Sequence, residues 1–435
     1  MYTTTGMTAI VMSRFSRRGG TIAAKFAIAL GVLGHGGAAQ ATDGYFLSGV
    51  GAKAKGEAGV AIALPQDALS IAANPAAATE LGERLDGGIE LFIPDRGATI
   101  RGNGAGADGI FSGNGANPFV LPEVGYVRQL SEKVAIGIAL YGGGGMNTTY
   151  ARNPFASFGA KGVAGVDLKQ MLVAPTLAVK ALPGQSIGVS PLLAVQIFSA
   201  TGLQPFAAQS LDPARFTDKG ANWAVATGVR LGWLGHFGSR VTLGAFYQSK
   251  LRSRRFDDYA GLFPGHGRFD VPASYGAGLS IRPIRALTLS GDVKRIDYAG
   301  VAAVGNPLSR LFAGNLFGSD DGPGFGWRDI TVYKAGIGYT IDSHWTVRAG
   351  YGRSGNPVPA SQTLLNILAP GVVQSHYTAG ATWTSRSGVE VTGYVMRAPR
   401  NRVAGSGSIP IPFGGGEADI DLAETSLGLS FGKRF

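Results

Sequence analysis

The sequence predicts an all-β protein: a 14-stranded antiparallel transmembrane β-barrel with an N-terminal plug, or hatch, in its lumen. Three observations lead to that class. From about Gly87 to Phe435 the chain breaks into period-two segments punctuated by turn residues, the gaps between segments alternate short and long, and no apolar run after Ala41 has the length of a membrane helix. Only helices and closed barrels satisfy every backbone group in hydrocarbon, so a membrane chain without such a run must cross as a barrel.

Composition narrows the function classes. Of 435 residues, 69 are Gly and only 15% are charged, with a mean hydropathy of +0.13. That is too apolar and glycine-rich for a disordered or nucleic-acid-binding chain. The absence of cysteine removes disulfides, thiolate metal sites and cysteine catalysis together. The five histidines, His35, His236, His266, His344 and His376, are scattered, and none falls in a local metal motif.

The first element reads as an address. Arg14, Arg17, Arg18 and Lys25 precede the apolar run Phe26 to Leu33, and small residues follow up to Ala39-Gln40-Ala41. This predicts a signal peptide over 1–41, cleaved after Ala41 and too short in its apolar run to anchor in a bilayer. Those four are its only charges, so the exported chain keeps +7 of the +11. A mild excess of this kind fits anionic lipid headgroups or phosphates rather than nucleic acid.

Residues 42–86 do not alternate. They are rich in Ala and Gly, with short helical turns expected before Asn74-Pro75-Ala76, and the lumen of a wide barrel is where such a segment finds a home. The barrel proper is expected over 87–435. Its strands are predicted at 88–101, 119–130, 133–142, 166–181, 185–199, 221–234, 239–253, 272–282, 285–298, 330–341, 344–354, 375–384, 388–398 and 423–435. Val134, Ile136, Ile138 and Leu140 share one face of the third, and Trp345, Val347, Ala349 and Tyr351 share one face of the eleventh. Gaps after even-numbered strands are tight, whereas those after odd-numbered strands are long and rich in Gly, Pro, Asn and Asp. Short periplasmic turns and longer outside loops produce that alternation. In the last strand Leu427, Leu429, Phe431 and the terminal Phe435 share a parity. A barrel closes by pairing its last strand with its first, so the chain can stop there without a tail.

Asp67 followed by Asn74-Pro75-Ala76 resembles the hatch of the FadL family of outer-membrane transporters. Arg348, Gly350, Tyr351, Pro357, Val358 and Pro359 resemble that family's R-x-G-Y, spacer, P-V-P stretch, and the runs around Gly142 and around Tyr298 sit where it has comparable segments. Leu69-Ser70 departs from the family's usual Ser-Thr, and the outer loops match poorly. The resemblance implies a monomeric barrel in the bacterial outer membrane for passive uptake of hydrophobic compounds, either long-chain fatty acids or aromatic and aliphatic hydrocarbons. It also implies gating by Asp67, Asn74, Pro75 and Ala76, and sideways exit near a kinked third strand. Phe435 matches the terminal aromatic that the barrel assembly machinery is understood to read.

Gly142, Gly143, Gly144 and Gly145 are the candidate wall kink, weighed against a plain loop start; no G-K-[ST] follows to make a phosphate loop. Leu203, Phe206, Leu211, Phe216, Leu262 and Phe263 are candidates for ligand capture, weighed against ordinary loop packing. Lys250, Arg252, Arg254 and Arg255 would meet lipopolysaccharide phosphates or a ligand carboxylate, or form a solvated rim. The expected partners are thus a hydrophobic small molecule, outer-membrane lipid and lipopolysaccharide, and the assembly machinery, with no nucleic acid. No catalytic residues, metal site, cofactor or enzyme activity are expected, His266 and His376 being poor candidates for a catalytic set. The alternative is a general hydrophilic porin. It would carry facing rows of charge on its inner faces, which here read as mostly Gly, Ser, Thr and Ala.

Overall fold

The computed structural model describes residues 42–435, so the signal-peptide reading of 1–41 lies outside the described residues. Fourteen long strands form the wall. They are β1 (Arg84–Arg101), β2 (Phe119–Gln129), β3 (Val134–Tyr150), β4 (Ala164–Leu182), β5 (Gln185–Thr201), β6 (Asn222–Phe237) and β7 (Val241–Gln248), then β8 (Ser274–Ile284), β9 (Leu287–Ile296), β10 (Ile330–Thr340), β11 (Trp345–Ser354), β12 (Ser375–Thr384), β13 (Val389–Val403) and β14 (Glu417–Arg434). Neighbours pair antiparallel around the ring. β14 returns to β1 over its whole length, from Glu417 opposite Arg101 to Arg434 opposite Arg84, so the ring closes on itself. Short strands at Thr42–Asp43, Phe46–Leu47, Gly109–Ser112 and Arg252–Ser253 join the same sheet. No helix among the described residues is long and apolar enough to cross a membrane.

The pleat sorts side chains as the parity predicts. On β14, Leu427, Leu429 and Phe431 are exposed while Ser426 and Ser430 are buried, and the same apolar outer face recurs at Ile89, Leu279 and Ile337. Aromatic residues bracket this band. Trp345 faces Trp383 at the tight-turn end of β11 and β12, and Tyr351 faces Tyr377 toward their loop end, as interfacial girdles require.

The strand ends differ from expectation in both directions: β7 stops at Gln248 rather than at 253 and β9 covers only Leu287–Ile296, whereas other strands run further than expected. β1 begins at Arg84, β3 continues to Tyr150, β13 runs to Val403 and β14 starts at Glu417. The extra residues lie mostly where the wall rises above its apolar band, and there glycine and polar residues read locally as loop although they still pair with a neighbour.

The ring is filled from the N-terminal side. Lys53 reaches Glu390 on β13 at 2.6 Å, Lys55 reaches Glu90 on β1 at 2.7 Å and Glu123 on β2 at 3.0 Å, and Glu57 meets Arg348 on β11 at 3.2 Å. Further along, Ala61 and Ile62 donate backbone N–H groups to Asp292 on β9, and the Thr79 hydroxyl donates to Ser186 on β5. The inner faces therefore hold more charge than their sequence suggested. Composition does not reveal this, because Glu90, Glu123, Arg348 and Glu390 meet counter-charges that lie far away in the chain.

Candidate functional site

Two capped turns lead the segment along the inner wall. Asp67 accepts from the Leu69 N–H at 3.1 Å and opens a 3-10 turn over Ala68–Ala72. Asn74 opens the next, over Pro75–Glu80, its Oδ1 accepting from the Ala76 N–H at 3.1 Å. The Asn74 amide also reaches outward. Its Nδ2 donates to the Ile62 carbonyl and to the Trp233 carbonyl of β6, each at 2.8 Å. A Cβ on Gly232 would stand 2.0 Å from Asn74 Oδ1, so only glycine lets the wall come this close. Asp67 is tied to its own turn rather than to Asn74. Burial first, and then Asp86, push its carboxyl up to about 6.

The candidate kink lies inside β3, not at its end. Between β3 and β4 the register shifts at Gly142 and Gly144, which leaves Gly143 as the extra residue of a bulge. On the other side the β2–β3 ladder stops at Val124 opposite Leu140. The N-terminal segment fills in beyond that point, with the Gly145 N–H donating to the Tyr45 carbonyl at 3.0 Å and Phe46 pairing with Gly144. Higher up, Gly113 and Gly115 exchange backbone bonds with Thr149. The wall thus contains a window between β2 and β3, bounded above and below by hydrogen-bonded chain and covered by Tyr45 and Phe46.

A cavity of about 110 Å³ adjoins the window, lined by Gly142, Gly143, Leu172, Phe246 and Val271 together with Arg230, Lys294 and Lys334. The two lysines share Asp43, at 2.8 and 3.2 Å. Burial works to raise the Asp43 carboxyl, but the lysines outweigh it and hold it at about 2. Arg230 binds the Tyr141 hydroxyl at 3.0 Å, the Ala72 carbonyl and the Gln248 side chain. Nothing in the local sequence marked Tyr45, Phe46 or Arg230 as site residues. Tyr298 lies in the run whose position resembles the family's; its hydroxyl accepts from the N–H groups of Tyr45 and Phe46 and donates to the Asp43 carbonyl.

A second, strongly apolar recess of about 40 Å³ lies among the outer loops, where Leu203, Phe206, Phe216, Leu262 and Phe263 all line it. Leu211 stands outside it and is 52% exposed. The basic residues Lys250, Arg252, Arg254 and Arg255 are all exposed, and Lys250 donates to the Gly300 carbonyl at 2.7 Å. His266 is exposed on a loop, whereas His376 is buried on β12. Among the described residues no group of three or more His, Asp or Glu could hold a metal ion.

A closed ring of fourteen antiparallel strands, apolar outside and charged where a segment fills its lumen, defines an outer-membrane β-barrel. The family model described as outer membrane protein transport protein (OMPP1/FadL/TodX) matches residues 36–393, and the chain belongs to that family. Its fold is similar to that of a Pseudomonas aeruginosa FadL homologue, at 16% identity and a TM-score of 0.67 over 90% of this chain and 100% of the other. It is also similar to the P. putida toluene transporter TodX, at 18% identity and 0.65 over 89% and 99%. A third likeness is to the Ralstonia pickettii toluene transporter TbuX, at 16% identity and 0.61 over 89% and 99%. No curated protein matches the chain in sequence.

Proposed function

We propose that the protein is a passive channel for hydrophobic compounds, long-chain fatty acids or aromatic and aliphatic hydrocarbons. They enter at the apolar recess among the loops, pass the cavity beside β3 and leave sideways through the window between β2 and β3. The observation that carries this reading is the interrupted β2–β3 ladder at the Gly143 bulge, with a cavity against it. An apolar ligand gains about 0.8 kcal/mol per buried methylene, so sideways release into lipid is favoured over release into water. Segment 42–83 acts as the hatch, with Asn74 pinning it to β6 and Tyr45 and Phe46 covering the exit. The barrel works as a monomer without cofactor or catalytic turnover, is inserted by the barrel assembly machinery and sits among lipopolysaccharide. A hydrophilic porin is disfavoured because the inward charges are taken up by Lys53, Lys55 and Glu57 rather than left facing a water-filled pore.

The test is deletion of Gly143, which removes the extra residue and lets β3 run in register. The variant should keep heat-modifiable migration on gels, the mark of a folded barrel, and lose uptake of radiolabelled toluene and of oleate. A folded variant that takes up both at the parental rate would overturn lateral exit.

A further inference from the structure

The outward face of β8 to β14 carries a pattern that the cargo path does not use. Near the loop ends of β8, β10 and β12 stand Tyr275, Tyr333 and Tyr377, and directly across on the following strands stand Arg295, Arg353 and Arg397. On the far side of each arginine is a hydroxyl, from Thr331, Ser375 and Thr425. Each guanidinium donates to its hydroxyl, at 3.2, 2.9 and 2.6 Å respectively. A tyrosine, arginine, hydroxyl row therefore recurs three times around the wall. Just toward the tight-turn end on the same face lie Leu279, Val293, Ile337 and Val395, all exposed members of the apolar band. The row thus stands at the border between that band and the outer loops.

Its charge is only partly answered. Arg295 meets Asp329 at 3.3 Å and Asp297 at 3.9 Å. Among the described residues Arg353 donates to the Ser375 hydroxyl and Arg397 to the Thr425 hydroxyl and the Glu424 carbonyl, and neither has a carboxylate within 4.0 Å. The row continues beyond β8 onto β7, where Tyr247 faces Tyr275, and past the end of β7 Arg252 lies opposite Thr227 beside exposed Lys250 and Arg254. Exposed arginines in bulk water would contribute little. At the rim of the outer leaflet they meet a dense layer of lipid phosphates, whose oxygens match the guanidinium fork, while tyrosine rings suit the half-wet interface.

We propose that this tyrosine–arginine row, centred on Arg353 and Arg397, is a binding site for the phosphate groups of lipopolysaccharide in the outer leaflet. It orients and anchors the barrel laterally and takes no part in choosing cargo.

The test uses the full barrel, purified and incubated with bisphosphorylated lipid A or with the same lipid after phosphatase treatment. Native mass spectrometry then counts the lipid retained. The parent should retain the phosphorylated form preferentially, and the pair Arg353→Gln with Arg397→Gln should lower that retention roughly tenfold or more. Arg386→Gln, in the tight turn between β12 and β13, should leave it unchanged. Heat-modifiable migration checks folding, and uptake of toluene and oleate by the same variants should stay at the parental rate, which separates this site from the transport reading. Equal retention of both lipid forms by the parent, or parental retention by a folded double variant, would overturn the proposal.

Discussion

Asn74 shows how much one amide can do when its two ends point to different elements. Its oxygen caps the turn that follows and its nitrogen bridges Ile62 to Trp233 of the wall. Truncation to alanine leaves a buried acceptor without its donor, a loss of about 1–3 kcal/mol, and that loss falls on the seating of the segment rather than on the ladders of the ring. Asn74→Ala should therefore leave barrel assembly and heat-modifiable migration intact while changing the rate at which cells take up an alkylbenzene or a fatty acid. Glu57 adds a pH response. It lies against Arg348 and the Ser290 hydroxyl with Asp292 nearby, and burial, the largest influence, outweighs Arg348 and pushes its carboxyl up from 4.5 to about 7. A carboxyl that is harder to ionise when seated opposes seating progressively as pH rises from about 4.5 to about 7, and fully above that. Asp67, raised to about 6, acts in the same sense over a lower window. Single-channel conductance in planar bilayers should consequently fall between pH 8 and pH 5, and Glu57→Gln should flatten the upper part of that response.

At the scale of elements, β3 and the segment that covers it depend on each other. The four glycines read in sequence as the place where a strand ends, because glycine weakens strands and marks loops. The strand nevertheless continues to Tyr150, since β4 pairs with it on both sides of the bulge and the N-terminal segment bonds to Gly144 and Gly145. A Cβ on Gly144 would stand 2.6 Å from the Tyr45 carbonyl oxygen, so Gly144→Ala forces the cover away from the wall. The ring itself is closed by strand ladders that do not involve the segment. Deleting residues 44–82 should therefore yield a folded barrel of much higher ion conductance, with Glu90, Glu123 and Glu390 left facing water. A folded deletion variant that conducts no better than the parent would reduce the segment to packing.

For the whole molecule, the alternation of short and long connections fixes which end faces outward. Gly104 and Ser406 lie in long connections, and Gly184 and Ser343 in tight ones at the opposite end. An epitope at either of the first two should bind antibody on intact cells, and one at either of the second two only after the outer membrane is opened; the reverse pattern would invert the barrel. The number of strands, their order and their lipid-facing residues were readable from the chain because a pleat repeats every two residues and turn residues punctuate locally. The apolar residues of the third and fourth long loops were readable as a group, but only folding separated exposed Leu211 from the five that line one recess. Tertiary structure alone decided which inward charges meet Lys53, Lys55 and Glu57, where the β2–β3 ladder stops, and that Arg353 stands beside Tyr333. Each of those pairings joins residues through strand register or across the lumen, and no local period in a sequence records the residue that register brings opposite.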